Sequence, residues 1–326
     1  MHTVSVPAER GTGAGKGRGK PGFRESETSR KRGKAVHRFR SLCAFLLAGV
    51  IVISASACRD QEPDRSHRLQ WWLEAIHWDE RDRGSGLSGK GVVIAVIDTA
   101  IDATHPDLEG KIQEQYIAGE VSEPMKLEHG TAVAGIIAAS PSNEDGVLGI
   151  AVDAQILSIV IDEYVDSLIK GIEYAIEKDV DIINISAGIT EHNPRLESVI
   201  EEAYQAGICV VAAYGEERPL YPAQYEHVIS VGSVDSEGRV LFGGYSTSVY
   251  LPGGDIVTTY SSVYEPRKYV SYTGSSMSAA MMTGIIALIL EQNPSLDSNV
   301  IVGFFGSYKN REFNTVDMLE HFKNWN

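Results

Sequence analysis

Apolar runs rich in β-branched residues, separated by helical patterns, constrain this 326-residue chain more than any other feature. Such runs suit parallel strands buried on both faces, and the helices between them supply the crossovers. The alternation predicts an α/β fold of three layers, a mainly parallel sheet with helices on both faces. We expect strands near 92–97, 156–161, 182–185, 209–213 and 228–231, and helices near 131–139, 166–177, 194–206 and 276–292.

Three polar residues stand at the ends of these elements, in three separated segments. Asp98 ends the first strand, at the sheet edge where open α/β folds place functional groups. His129 opens a helix of small residues. Ser276 starts an apolar helix after Gly274, where unpaired N–H groups and the helix dipole favour negative charge. Each residue alone is typical of a cap or a structural contact. Together they predict nucleophilic catalysis by an Asp-His-Ser triad.

The segments around these residues resemble the subtilisin-like serine proteases, the subtilases. DTAIDATHPDL, HGTAVAG and GSSMSAA are similar to the aspartate, histidine and serine motifs of that family, and the resemblance runs from about Gly91 to Leu290. It implies a subtilisin-like fold and hydrolysis of an extended peptide or protein substrate through an acyl-enzyme. Asp98 would orient the imidazole, His129 would act as general base and then acid, and Ser276 would attack the scissile carbonyl.

The resemblance also assigns five residues to substrate binding. Ser186, Ala187 and Gly188 match the strand that pairs with an extended peptide through main-chain hydrogen bonds. Tyr214 and Gly215 match positions beside the specificity pocket. Because Tyr214 replaces a small residue there, we expect a narrowed or reshaped pocket.

Glu216 stands where the family usually has an asparagine whose side-chain amide donates to the oxyanion. An ionised carboxylate accepts hydrogen bonds and repels an oxyanion, so the substitution predicts reduced activity. Partial burial of Glu216 would favour its neutral form, which can donate the missing bond. Two functions therefore stay open: an active endopeptidase, and a low-activity or inactive protein of subtilase fold that binds peptides.

A structural calcium ion is a further expectation from the resemblance. Asp107 matches a calcium-ligating aspartate of the family, and Asn143 and Asp145 offer oxygen atoms from a nearby loop. The alternative is a polar surface turn. The chemistry itself requires no cofactor, and the sequence has no His and Cys spacing for zinc.

Residues 1–58 have the pattern of a basic leader and signal peptide, with 11 Lys or Arg against 3 acidic residues. The stretch 42–55 is apolar over 14 residues, which is short for a membrane span and typical of a signal-peptide core. The following ASAC resembles a bacterial lipoprotein processing site and predicts lipidation of Cys58. Simple cleavage after Ala57 and an uncleaved anchor are the alternatives. Each places the rest of the chain outside the cytoplasm, as a membrane lipoprotein or a secreted protein.

Residues 59–89 are expected to form an N-terminal arm packed through Trp71, Trp72 and Ile76, followed by a peptidase domain over 90–326. The arm is too short for a separate folding propeptide. That shortness favours a dedicated peptide-maturation protease, such as a lantibiotic leader peptidase, over a degradative enzyme.

Charge and cysteine content limit the partners of the region after the leader. Residues 59–326 carry 18 Lys or Arg and 41 Asp or Glu, a net charge of −23, which excludes a nucleic-acid partner. This excess of negative charge is consistent either with attraction of basic peptides or simply with a solvated surface. Cys209 is the single cysteine there, so no disulfide framework forms. We expect a monomer.

Overall fold

The apolar runs form the central strands of one large sheet. The computed structural model describes residues 70–78, 86–120, 125–308, 313–323 and 325. The strands are β1 (Val93–Asp98), β2 (Ile112–Ile117), β3 (Gln155–Val160), β4 (Ile182–Ile185), β5 (Cys209–Ala213), β6 (Val228–Val234), β7 (Val240–Phe242), β8 (Val249–Pro252), β9 (Ile256–Tyr260) and β10 (Lys268–Tyr272). The order is β2-β3-β1-β4-β5-β6-β7, with β8 also paired to β6. All of these pairs are parallel except β6 with β7.

Helices cover both faces of this sheet. They are α1 (Trp71–Ala75), α2 (Glu128–Ala138), α3 (Val165–Glu177), α4 (Pro194–Gln205), α5 (Ser275–Gln292), α6 (Ser298–Ser307) and α7 (Thr315–Lys323). Along β1, Ile94 and Val96 join the core that includes α2 and α5, whereas Ala95 and Ile97 join the core that includes α3 and α4. This alternation separates two apolar cores and confirms the three-layer α/β prediction. Predicted element ends differ from the observed ones by no more than three residues.

The helix α5 is the centre of one core. It is long and apolar enough to cross a membrane by length and composition, with a mean hydropathy of 1.2, but 83% of it is buried within the protein. Its neighbours include α2 and strands β4, β5 and β6. Burial on nearly every side explains why its sequence shows almost no polar face.

A two-stranded antiparallel hairpin, β9 with β10, connects the helices that carry His129 and Ser276. The Thr258 and Thr259 hydroxyls donate to the carbonyl oxygens of Ala132 and Thr131 in α2, at 2.8 and 2.7 Å. The hairpin then leads through β10 directly into the start of α5. It therefore fixes the spacing between the two helix starts.

The N-terminal arm packs against the same core as α5. Trp72 and Ile76 are fully buried, while Trp71 is half-buried. The Gln70 side chain accepts from Leu148 N at 2.9 Å and donates to Leu148 O at 2.8 Å. Thus the described part of the arm is bound by specific polar contacts as well as by apolar packing.

Candidate active site

Asp98 and His129 form a hydrogen-bonded pair. Asp98 is the last residue of β1 and is 4% exposed. Both of its carboxylate oxygens lie 2.8 Å from His129 Nδ1, and Oδ1 also accepts from Thr99 N at 2.6 Å. A carboxylate against Nδ1 keeps the ring proton on that nitrogen, so Nε2 is the nitrogen of the neutral imidazole that can accept a proton.

The start of α2 brings His129 against the end of β1. Gly130 N donates to Thr99 Oγ1 at 2.9 Å, and a Cβ on Gly130 would lie 2.2 Å from the carbonyl oxygen of Thr99. Only glycine permits this approach. The His129 side chain is 18% exposed, so its ring remains accessible to a bound substrate.

Tyr272 packs edge-on against the His129 ring, with centroids 6.3 Å apart. Burial, followed by the nearby Tyr260, Glu128 and Asp98, raises the Tyr272 pKa to about 12. The phenol therefore stays neutral beside the imidazole and adds no charge to the Asp98–His129 pair.

Ser276 is the second residue of α5 and is 1% exposed. Its hydroxyl donates to the carbonyl oxygen of Ser186, just beyond β4, at 3.4 Å. The neighbouring Ser275 hydroxyl accepts from Gly215 N, beyond β5, at 3.1 Å. The start of α5 thus lies between the two chain segments that follow β4 and β5. The unpaired N–H groups of its first turn lie between these segments too.

The residues predicted to bind substrate lie on these two segments. Ser186 is buried, and Ala187 and Gly188 are half-buried after β4, while Tyr214 and Gly215 follow β5. Because β4 and β5 are adjacent parallel strands, both segments leave the sheet at its carboxyl edge, as Asp98 does. The structure therefore brings them to the same edge as the predicted catalytic residues.

The Tyr214 side chain is buried and points toward Gly244. A Cβ on Gly244 would lie 2.2 Å from the Tyr214 hydroxyl oxygen. Burial, followed by the proximity of Tyr250, raises the Tyr214 pKa. The ring thus forms part of the packing behind the segment that follows β5.

Leu220 was missed by sequence reasoning. A Cβ on Gly188 would lie 2.9 Å from Leu220 Cβ, and a Cβ on Gly215 would lie 3.0 Å from Leu220 Cγ. The side chain therefore lies between the two substrate segments. The available signal was a single apolar residue between Pro219 and Tyr221 in a polar stretch, which does not reveal a contact distant in sequence.

Glu216 lies next to the start of α5. Its Oε1 atom is 3.1 Å from the position that a Cβ on Gly274 would occupy, and Ser276 N is 3.9 Å from the same position. The structure thus brings the carboxyl group near the Ser276 N–H. The expected partial burial is wrong, because the Glu216 side chain is exposed.

The Asp107 side chain binds the backbone of the loop that was predicted to bind calcium. It is 1% exposed, and its two carboxylate oxygens accept from Ser142 N and Val147 N, each at 2.9 Å. These bonds hold both ends of the 142–147 loop on one side chain. The carboxylate is therefore already used as a backbone acceptor.

Asn143 and Asp145, the other two predicted ligands, lie in the same loop. Asn143 Oδ1 accepts from Asp145 N at 2.9 Å, within the loop. Burial, followed by a hydrogen bond with the Asp107 carboxylate and the negative charges of Asp107 and Asp145, raises the Tyr269 pKa. Within the described ranges, no three His, Cys, Asp or Glu side chains come together to hold a metal ion. Calcium binding by Asp107, Asn143 and Asp145 stays a prediction, and the proposed reaction uses no metal ion.

Two cysteines were singled out from the sequence. Cys58 lies outside the described residues, with the rest of the leader. Cys209, at the start of β5, is fully buried, and burial, followed by Asp181 and Asp297, raises its pKa to about 12. Its thiol is therefore a packing group with little thiolate character.

Comparison with known proteins agrees with this geometry. Residues 89–312 match the subtilase family. The chain belongs to that family. It is 35% identical over 254 residues to a thermostable alkaline protease of Halalkalibacterium halodurans, covering 74% of this chain and 68% of that protein. It is 33% identical over 237 residues to subtilisin DY of Bacillus licheniformis, covering 68% of this chain and 85% of that protein.

Among solved structures, fervidolysin of Fervidobacterium pennivorans, described as a keratinolytic enzyme related to subtilisin, matches with a TM-score of 0.66 and 26% identity. The match covers 77% of this chain and 45% of the fervidolysin chain, so this subtilase spans less than half of that relative. The predictions of a subtilisin-like fold and of the serine endopeptidase class are confirmed by these similarities.

Proposed function

We propose that this subtilase hydrolyses extended peptide segments with Asp98, His129 and Ser276 as its catalytic residues. One observation carries the proposal: the Asp98 carboxylate is 2.8 Å from His129 Nδ1. That bond leaves Nε2 as the proton acceptor at the sheet edge where α5 presents Ser276. Family membership supports the same reaction class.

The reaction follows from these positions. As Ser276 Oγ bonds to the scissile carbonyl carbon, its proton passes to His129 Nε2, and Asp98 stabilises the resulting imidazolium. His129 then protonates the leaving amine as the C–N bond breaks, which leaves an ester on Ser276. Water adds to the ester while His129 takes its proton. The bond to Oγ then breaks, and the proton returns to Ser276.

The first step requires a rotation of the Ser276 hydroxyl. It now donates to the Ser186 carbonyl oxygen at 3.4 Å, and it must donate to His129 Nε2 instead for its proton to be transferred. Such bonds between catalytic groups are commonly loose before substrate binds. The oxyanion would meet the Ser276 N–H at the start of α5, where the helix dipole favours negative charge.

The substrate class is an extended peptide. The segment 186–188 follows a strand and becomes partly exposed at Ala187 and Gly188, so its backbone N–H and C=O groups can pair with a peptide as an added strand. Side chains of that peptide would then alternate between the groove and solvent. A dedicated role in peptide maturation stays a prediction.

A second candidate is a peptide-binding protein without turnover, and the Glu216 carboxyl group beside Gly274 favours it. An ionised carboxylate there opposes formation of the oxyanion. Retention of the Asp98–His129 bond supports the active enzyme instead.

A fluorophosphonate probe separates the two candidates, because it reacts with an activated serine. We expect labelling of the wild type and none of Ser276→Ala. Ser298→Ala is a matched control, because Ser298 is also a buried serine in the first turn of a helix and its hydroxyl has no hydrogen-bond partner among the described residues. Equal labelling of wild type and Ser276→Ala in folded protein would contradict the proposed function.

We also propose that the peptidase domain works outside the cytoplasm, attached through a lipid on Cys58. The proposal is supported by the 14-residue apolar stretch before ASAC. Mass spectrometry of the membrane fraction should find a lipidated Cys58 at the mature N-terminus, and Cys58→Ala should release the protein from the membrane. An unmodified Cys58, or wild-type protein found wholly in the medium, would contradict attachment by lipid.

A further inference from the structure

A series of buried hydrogen bonds connects the interior of α5 to the residue that contacts the Ser276 hydroxyl. The Thr283 hydroxyl, in α5, donates to Asn184 Oδ1, in β4, at 2.9 Å. The Asn184 amide nitrogen donates in turn to the Ser186 hydroxyl at 3.2 Å. The main-chain carbonyl oxygen of Ser186 accepts from the Ser276 hydroxyl at 3.4 Å. We call Thr283, Asn184 and Ser186 the Asn184 bridge, because the amide of Asn184 joins the two hydroxyls.

The bridge connects two levels of the same face of α5 to β4. Thr283 comes seven positions after Ser276, which is close to two helical turns. The two side chains therefore lie on one side of the helix, about 10.5 Å apart along its axis. Asn184 and Ser186 are two positions apart at the end of β4, so their side chains also share a face. A slip of the helix along the strand would break both attachments.

The members of the bridge lie where the fold otherwise places apolar side chains. Asn184 and Thr283 are fully buried, and Ser186 is 4% exposed. Ile182, which shares a face of β4 with Asn184, belongs to the apolar core that includes α2 and α5. A buried amide is costly unless it is hydrogen-bonded, and any slip of α5 would leave Asn184 unpaired. A satisfied buried network thus favours one arrangement of the elements that it joins.

We infer that Asn184 is a positioning residue for the nucleophile, which fixes the start of α5 against Ser186 and so places Ser276 Oγ for reaction. This inference rests on the proposed function, in which Ser276 attacks the scissile carbonyl. Without the bridge the helix can shift relative to β4, and a displacement of about 1 Å at the reacting atoms can lower the rate by about 10²-fold. A residue that serves folding alone would change the free energy of unfolding and leave kcat as it was.

The first test removes one hydroxyl of the bridge. Thr283→Val keeps the shape of the side chain but loses the bond to Asn184. It should lower kcat on a peptide substrate by about 10-fold, while KM changes by less than about 2-fold. Thr283→Ser restores a hydroxyl and should recover most of the rate. Thr315→Val is the matched control, because the buried Thr315 hydroxyl donates to the Ile76 carbonyl oxygen at 2.7 Å, in the N-terminal arm. It should destabilise the fold and leave kcat unchanged.

A double-variant cycle tests whether both hydroxyls act through Asn184. Ser186→Ala removes the hydroxyl that accepts from Asn184, keeps the main-chain carbonyl and leaves α5 unaltered. It should lower kcat by a factor similar to that of Thr283→Val. The double variant should lose no more than about 3-fold beyond the more damaging single change, because either change already breaks the bridge. Losses that multiply in the double variant, or a kcat of Thr283→Val within about 2-fold of wild type, would overturn the inference.

Crystal structures separate a failure of this inference from a failure of the proposed function. A wild type that neither cleaves peptides nor reacts with fluorophosphonate would remove the proposed function. Comparison of wild type with Thr283→Val then tests the position of Ser276 without turnover. The distance from Ser276 Oγ to the Ser186 carbonyl oxygen should differ between the two proteins by at least about 0.5 Å. An equal distance in both would overturn the positioning role of Asn184.

Discussion

Replacement of Glu216 gives the most informative prediction about the reaction itself. Glu216 Oε1 and Ser276 N lie 3.1 and 3.9 Å from one point, the Cβ position of Gly274. These distances put Glu216 Oε1 within about 7 Å of Ser276 N, and we take roughly 4–7 Å as the separation between the carboxylate and an oxyanion bonded to that N–H. At that separation two negative charges repel by about 0.6–1 kcal/mol in water and by about 2.4–4 kcal/mol at an effective dielectric constant of 20.

The smaller range applies, because the Glu216 side chain is exposed and water screens it. Removal of the charge alone should accelerate the reaction about three- to fivefold at neutral pH. Adding a hydrogen-bond donor to the oxyanion should raise kcat further. In subtilisin, a member of the same family, loss of the corresponding donor costs about 2.7–4 kcal/mol, or about 10²–10³ in kcat. That figure belongs to subtilisin and sets the upper limit here.

The assay measures kcat on a peptide substrate from about pH 6 to about pH 10. Glu216→Ala removes the charge without supplying a donor, and should give the three- to fivefold gain. Glu216→Asn and Glu216→Gln supply an amide donor, and at least one of them should give a higher kcat than Glu216→Ala. Glu217→Gln removes an equal charge from the adjacent exposed residue and is the matched control. Rates equal to wild type at every pH in all three Glu216 variants would refute the placement of this carboxylate at the oxyanion.

Three further predictions follow from contacts elsewhere. Asp98→Asn should lower kcat by about 10⁴, because without the carboxylate the ring proton of His129 is no longer held on Nδ1. A loss of kcat below about 10-fold in steady-state assays would contradict the catalytic role of Asp98. Burial opposes the charge of Asp102, but hydrogen bonds from Ser261 and Thr104 outweigh it and hold the pKa below its ordinary value of 3.8. A carboxyl group whose pKa is lower in the folded than in the unfolded protein stabilises the folded state at pH values above its pKa in the unfolded protein. This contribution is lost as the pH falls through its pKa in the folded protein. Asp102→Asn should therefore reduce the free energy of unfolding, measured by urea titration, by about 1–2 kcal/mol at pH 7. The difference between variant and wild type should shrink below pH 3.8. An equal difference at about pH 7 and about pH 3 would argue against a contribution from the Asp102 charge. Because burial raises the Cys209 pKa to about 12, maleimide should modify that thiol only after denaturation, as measured by peptide mass spectrometry. Rapid modification of Cys209 in the native protein would disprove its burial.

The fold was predictable where sequence periodicity and burial agree. The apolar runs of β1, β4 and β5 are buried on both faces, so local composition alone identified them. The edge strand β2 was not predicted, because its sequence IQEQYI is mostly polar and its side chains are largely exposed. Helix α2 begins three residues before the prediction, at Glu128, since no side-chain cap marks its start.

The site was predictable where chemistry lies within a short motif. Asp98 and His129 were identified from their own segments, and their hydrogen bond joins residues that the motifs already singled out. Leu220 and the exposure of Glu216 were not, because both depend on how distant segments approach at the sheet edge. Side-chain placement between two loops follows from tertiary packing, and no local pattern reports it.

The N-terminal arm has a consequence for the order in which the molecule is assembled. Thr315, at the start of α7, donates through its hydroxyl to the Ile76 carbonyl oxygen across 239 positions of sequence. As the chain emerges from its N-terminal end, this bond cannot form until α7 is available, and closure of so long a loop is slow. Trp72 and Phe322 belong to one buried core, so this corner of the core is completed only after nearly all the described chain has emerged. Until then an apolar surface stays open to chaperones and proteases.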